Sequence, residues 1–226
     1  MIDFYGQFYR GYFMSPRGRA MADPDKFYLR PDLKVSVVGA SVFRLFNGDQ
    51  FSYRASYLQN EWQKKSAGSF LLGMEFYTGR VRGDSALLPS NADENMRQEG
   101  ITQLRFTEFG PGAGYTYTGV IQQHFFITGS ATVNADVSFV KETRDDEILK
   151  KTSISPNVTA RAVAGYNNDR WGLALSWVNN RISLRGRQGG DTYLISTGNI
   201  RLTYVKRFRP GKKFEDRMKS LKIATP

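Results

Sequence analysis

The 226-residue sequence contains no cysteine and one histidine, His124. Without cysteine there is neither a disulfide framework nor a thiolate metal site, and one histidine removes the usual imidazole clusters and most nucleophile–histidine pairs. No stretch approaches the roughly 18 to 20 consecutive apolar residues that a membrane-crossing helix requires. The start, MIDFYGQFYRGYF, lacks the basic-then-apolar layout of a secretion signal, so the expectation is a mature chain or one whose natural beginning is missing. Hydrophobic residues reach only 40%, somewhat low for a packed soluble core of this length, while aromatics stand at 14% and glycine at 22 residues. That mixture favours β-structure with close backbone approaches.

Net charge is +11, which attracts anions such as nucleic acid, phospholipid headgroups or lipopolysaccharide. The basic residues are spread along the chain and crowd together only at its end, from Lys206 and Arg207 through Lys212 and Lys213 to Lys222. A solvated tail, or one lying against a membrane or partner surface, explains them more simply than a nucleic-acid groove. Composition shows no break, so one domain is expected.

The segment FFITGSATVNADVSF decides the class, because successive strand side chains point to opposite faces. Phe125, Ile127, Gly129, Ala131, Val133, Ala135, Val137 and Phe139 form an apolar row. After Phe126, the other row is Thr128, Ser130, Thr132, Asn134, Asp136 and Ser138. Strands of soluble sandwiches usually run about five or six residues. This pattern holds much longer and ends in Phe on both sides, as does a bilayer-crossing strand with aromatic girdles and a polar lumen row. Weaker versions recur around Phe51–Tyr57, Phe70–Phe76, Val158–Tyr166 and Trp171–Trp177. The fold class expected is therefore all-β, an antiparallel transmembrane β-barrel. Arg54, Glu75, Asp136, Arg161 and Arg201 fall on polar phases and are candidate lumen charges, expected to pair with one another or with water. Trp62, Phe125, Phe139, Trp171 and Trp177 are candidate interfacial aromatics.

Candidate strands lie near 2–12, 33–46, 51–60, 69–81, 103–109, 113–122, 125–139, 156–166, 171–180 and 192–207. The pair around Gly110-Pro111-Gly112 reads equally as one long bulged strand, giving nine or ten in all. Short links at Asn47–Gln50, Gln122–His124 and Asn167–Arg170 fit tight periplasmic turns. The longer polar links, RVRGDSALLPSNADENMRQEG, KETRDDEILKKTS and RGRQGGD, are expected as extracellular loops. Pro24 and Pro31 argue against a regular strand in 14–32. The barrel is expected over 1–208 and a basic periplasmic tail over 209–226.

His124 beside two glutamines does not establish a lipid-hydrolase triad and reads as a turn histidine at the interface. Gly110-Pro111-Gly112-Ala113-Gly114 lacks the GxxxxGK[ST] spacing of a phosphate loop, and a bulge or bend in a wall explains it better. Lys64 and Lys65 beside Trp62 form a basic turn able to meet an anionic headgroup or a partner loop, although an ordinary exposed turn explains them too. No catalytic residue, cofactor or metal site is expected.

Several strings together resemble an uncharacterised Bacteroidota outer-membrane β-barrel family, a domain-of-unknown-function family of the DUF4421 kind. They include YGQFYRGYFMSPRG, FSYRASYLQNEWQKKSAGSFLLG, FGPGAGYTYTGVIQQHFFITGSATV and STGNIRLTYVKRF, of which FSYRAS…QNEWQKKSAGS is the most specific. The resemblance implies location in the bacterial outer membrane, a missing N-terminal portion and twelve or more strands in the complete barrel; it carries no catalytic residues. The expected function is a non-catalytic structural or accessory subunit of a larger outer-membrane assembly, not an enzyme. Its partners would be outer-membrane lipid, lipopolysaccharide and other envelope proteins, with no nucleic acid. A narrow channel or lipid or small-solute transporter, and a soluble polyanion-binding β-protein, are the alternatives.

Overall fold

The computed structural model describes residues 1–89, 100–145, 147–187 and 192–208. The expected tail at 209–226 and parts of all three expected loops lie outside them. The chain forms one curled, eight-stranded antiparallel sheet in sequence order. Its strands are β1 (Ile2–Phe13), β2 (Leu29–Leu45), β3 (Ala67–Arg82), β4 (Ile101–Ile121), β5 (Phe125–Arg144), β6 (Glu147–Asn167), β7 (Trp171–Arg185) and β8 (Thr192–Lys206), and the one helix among the described residues is the short α1 (Tyr53–Tyr57). No helix among the described residues is long and apolar enough to cross a membrane, which says nothing of strands.

Eight strands replace the expected nine or ten for two reasons. Gly110-Pro111-Gly112 does not interrupt β4, which stays in register with β3 from Arg105 through Tyr117. The segment read as a strand at 51–60 contains α1 instead. Phe51, Tyr53, Ala55 and Tyr57 alternate as in a strand, but Ser52 caps a helix by accepting from the Ala55 amide at 3.0 Å. The β5–β6 link is also shorter than expected: both strands run on to Arg144 and Glu147, because Val140, Glu142 and Leu149 continue the buried phase. Likewise β2 begins at Leu29 despite Pro31, which lies where the β1–β2 register shifts between Arg10 and Tyr12.

The convex face is exposed and carries a broad apolar band, with Phe4 86%, Ile127 65%, Ile154 66% and Leu202 69% accessible. The concave face is buried. It is not polar throughout, since Val35, Val37, Leu104, Phe106, Val140 and Leu184 form an apolar layer there. β2 hid this from the sequence, because VSVVGASVF is apolar on both phases. β1 and β8 form no ladder with each other among the described residues; the Tyr5 hydroxyl and Thr197 Oγ1 hydrogen-bond across the gap instead.

Candidate functional site

Below the apolar layer, the concave face gathers acids from three strands on one amide. Asn157 Nδ2 on β6 lies 2.6 Å from Asp136 Oδ2, 2.7 Å from Glu108 Oε1 and 3.3 Å from Glu75 Oε1. Asn157 Oδ1 accepts from the Ser183 amide at 2.9 Å, and Ser138 Oγ donates to Glu108 Oε2 at 3.0 Å. Glu108, Asp136 and Asn157 are fully buried and Glu75 is 3% exposed. The glycine-rich segment makes the convergence possible. A Cβ on Gly110 would stand 2.4 Å from Asp136 Oδ1, so the missing side chain lets that carboxylate lie over β4 toward Glu75.

One amide nitrogen carries two hydrogens, so three carboxylates compete for it. The donor occupies the centre that a cation would need, and among the described residues no group of three or more His, Cys, Asp or Glu is arranged to hold a metal ion.

Arg161 does not pair with these acids; it makes its acid–base pair with Asp3, a residue outside the five assigned to the lumen. Its Nη1 lies 2.8 Å from Asp3 Oδ2 on β1 and donates to the Tyr53 hydroxyl at 2.7 Å. Tyr53 stacks on Tyr57 at 4.3 Å, and burial pushes its hydroxyl up to about 12. The segment around α1 is thereby drawn into the concave face. Ser56 Oγ lies 2.7 Å from Thr128 Oγ1, and Gln59 Nε2 donates to the Ala55 and Ser56 carbonyls at 3.0 and 2.8 Å. Asn167 Nδ2 and Arg207 Nη2 donate to the Glu61 and Gln59 carbonyls at 3.2 and 3.0 Å, fixing the segment to the turns of that end.

Of the five charges assigned to the lumen, Glu75, Asp136 and Arg161 lie on the concave face. Arg54 does not: it belongs to α1, with its side chain 64% exposed and 3.4 Å from Glu61. Arg201 keeps the concave phase, but β8 is an edge strand, so its side chain is exposed beside a cavity of about 210 Å³ shared with Asp3 and Arg161. The sequence reading passed over Glu108, although its phase between the outward Thr107 and Phe109 was available, and it passed over Asp3.

Residues 1–208 match the family described as a domain of unknown function, DUF4421. The chain belongs to that family. No curated protein and no solved structure matches it.

In this DUF4421 chain one aromatic cluster gathers at the end where β5 meets β4 and β6 meets β7. The Tyr166 ring centroid lies 4.8 Å from Trp171, 5.0 Å from Phe125 and 5.5 Å from His124, which in turn lies 5.2 Å from Trp62. Trp62 belongs to the segment after α1 rather than to a strand, and its Nε1 donates to the Gln123 carbonyl at 2.7 Å. Phe139 lies on the convex face toward the other end, 6.3 Å from Phe109. Trp177 is also convex, with Asn179 and Arg181 next along its phase. His124 Nδ1 is 2.9 Å from the Asn167 carbonyl, a contact that joins two turns.

Proposed function

We propose that this DUF4421 chain is a non-catalytic β-barrel of a bacterial outer membrane, serving as a structural or accessory subunit of a larger envelope assembly. A Bacteroidota origin rests on the sequence resemblance alone. The observation that carries the location is the reversal of burial across the wall of β5. Ile127 and Val133 are 65% and 56% exposed on one face, whereas Thr128, Asn134 and Asp136 are at most 1% exposed on the other. In water such a surface drives aggregation; in lipid it is the favoured side.

Two features favour a scaffold subunit over a channel. The concave face is filled by the apolar layer, the acid–amide cluster and α1. The edges of β1 and β8 need strands to pair with inside a bilayer, whether from elsewhere in the polypeptide or from a partner. The exposed convex apolar face weighs against the soluble polyanion binder.

Fractionation of native cells and detergent extraction test the reading. The expected result is recovery in the outer-membrane fraction together with a partner at constant stoichiometry. Reproducible single-channel conductance in planar bilayers would move the protein to the channel class, and solubility without detergent would end the membrane reading.

A further inference from the structure

On the convex face, register aligns four cations on four consecutive strands. Arg80 stands opposite Arg105, Arg105 opposite Lys141 and Lys141 opposite Lys150. Neighbouring strands are only about 4.8 Å apart, and like charges directly opposite destabilise a sheet. Among the described residues none of the four has a carboxylate within ion-pair distance. The Arg80 Nε has no acceptor among the described residues, although the guanidinium donates to Gln103. Lys34 and Arg82, also cross-strand partners, extend the positive field toward β2.

Immediately beside this row lies a surface groove of about 800 Å³. Arg80, Arg105 and Lys141 line one side of it, and Phe8, Val38 and Phe139 supply apolar walls. Its floor is low because Thr78 and Thr107 occupy that level, their hydroxyls 3.1 Å apart. Beyond the threonines the convex face turns aromatic with Phe76 and Phe109, 45% and 46% exposed.

We propose that this groove binds the phosphorylated headgroup of a membrane lipid, with the phosphate on Arg80, Arg105 and Lys141 and the acyl chains running over Phe139, Phe109 and Phe76. A free anion would neutralise the row but leave the apolar walls uncovered; a phosphate carried on hydrocarbon matches both. Arginine forks suit phosphate oxygens, and charge-assisted contacts of this kind are the strong ones. The proposal rests on the membrane reading, since the acyl chains follow the face assigned to lipid.

The test uses the full chain purified in detergent, with micelles containing dioleoyl phosphatidic acid or, as the unphosphorylated counterpart, dioleoylglycerol. Binding is read by native mass spectrometry at low ionic strength. The native protein is expected to retain the phosphatidic acid and not the diacylglycerol. The triple variant Arg80→Gln, Arg105→Gln, Lys141→Gln should lose affinity on the order of a hundredfold, from about one membrane-surface charge contact per residue. Lys64→Gln, Lys65→Gln, Arg170→Gln, at the opposite end, should bind as the native protein does. Should the triple variant fail to fold, Arg105→Gln alone is expected to weaken binding roughly fivefold. Equal affinity in these groove variants, or equal loss in the opposite-end control, overturns the site. Displacement by inorganic phosphate at equal phosphate concentration would show an ion site instead, and displacement by a single-stranded oligonucleotide a nucleic-acid surface; either overturns the lipid proposal. Membrane fractionation of the same protein separates the two ideas: loss of lipid binding with intact outer-membrane recovery sinks only this one.

Discussion

Asn134 Oδ1 occupies the space above Gly112, where a Cβ built on that glycine would stand 1.4 Å away. The glycine is therefore required for clearance rather than for a turn, since β4 runs straight through it. Gly112→Ala must push aside a side chain that is 1% exposed, and the expected cost is about 1 to 3 kcal/mol. Among the described residues neither polar atom of Asn134 has a hydrogen-bond partner, so adding Asn134→Ala should recover the greater part of that loss. Urea unfolding of the detergent-folded protein measures both; a double variant no better than Gly112→Ala would contradict the clearance account.

Asn157 is the one donor shared by Glu75, Glu108 and Asp136. Asn157→Ala leaves these acids facing one another without it and is expected to destabilise by roughly 2 to 3 kcal/mol, the scale for stripping partners from buried polar groups. Combining it with Glu108→Gln restores an amide donor and removes one charge. The combined variant should unfold at a higher urea concentration than Asn157→Ala alone, and the opposite order would mean that the amide does not hold the acids together.

At the other end of the fold Arg30 grips Asp32 with two hydrogen bonds, 2.9 Å from Nε and 2.8 Å from Nη2. Asp32 lies beyond the outward row at Lys34, outside the part of β2 read as bilayer-spanning. The guanidinium holds its carboxyl well below the usual carboxylate range, helped by the Asp84 amide. A folded-state value lowered in this way adds stability that is complete above the ordinary carboxylate value of about 4 and fades as pH falls through the lower folded value. The native protein should therefore melt above Asp32→Asn at neutral pH and lose that margin in acid. A margin independent of pH would show that the clasp is not electrostatic.

How far these arrangements were legible depends on what decides them. The Phe125–Phe139 alternation fixes the two faces of β5 because almost every position agrees, and the same phase carries on to the buried Glu142. FSYRASY satisfies two periods at once. Its aromatic and serine positions alternate, yet Ser52 also caps a helix that buries Ala55 and Ser56, and contacts from Thr128 and Arg161 select the helix. Arg80, Arg105, Lys141 and Lys150 are unremarkable along the chain, and only cross-strand register makes them a row. Glu108 was readable from its phase, but its convergence with Glu75 on Asn157 required the same register.

The solvent of the convex face can be identified with one substitution. Val133, midway between the Phe125 and Phe139 rings, is 56% exposed, so for a protein surrounded by water Val133→Arg belongs to the ordinary surface class, within about 0.5 kcal/mol of neutral. For a wall facing hydrocarbon the same change places a charge in lipid and costs about 2 to 4 kcal/mol near the bilayer midplane, falling toward the interfaces. Folding into lipid vesicles, followed by urea titration, should give the larger value. Arg105→Leu, exchanging a charge for an apolar side chain in the cationic row, serves as the comparison because it places no new charge in hydrocarbon. A neutral result for Val133→Arg in vesicles would remove lipid from the face on which the proposed function and the headgroup groove both depend.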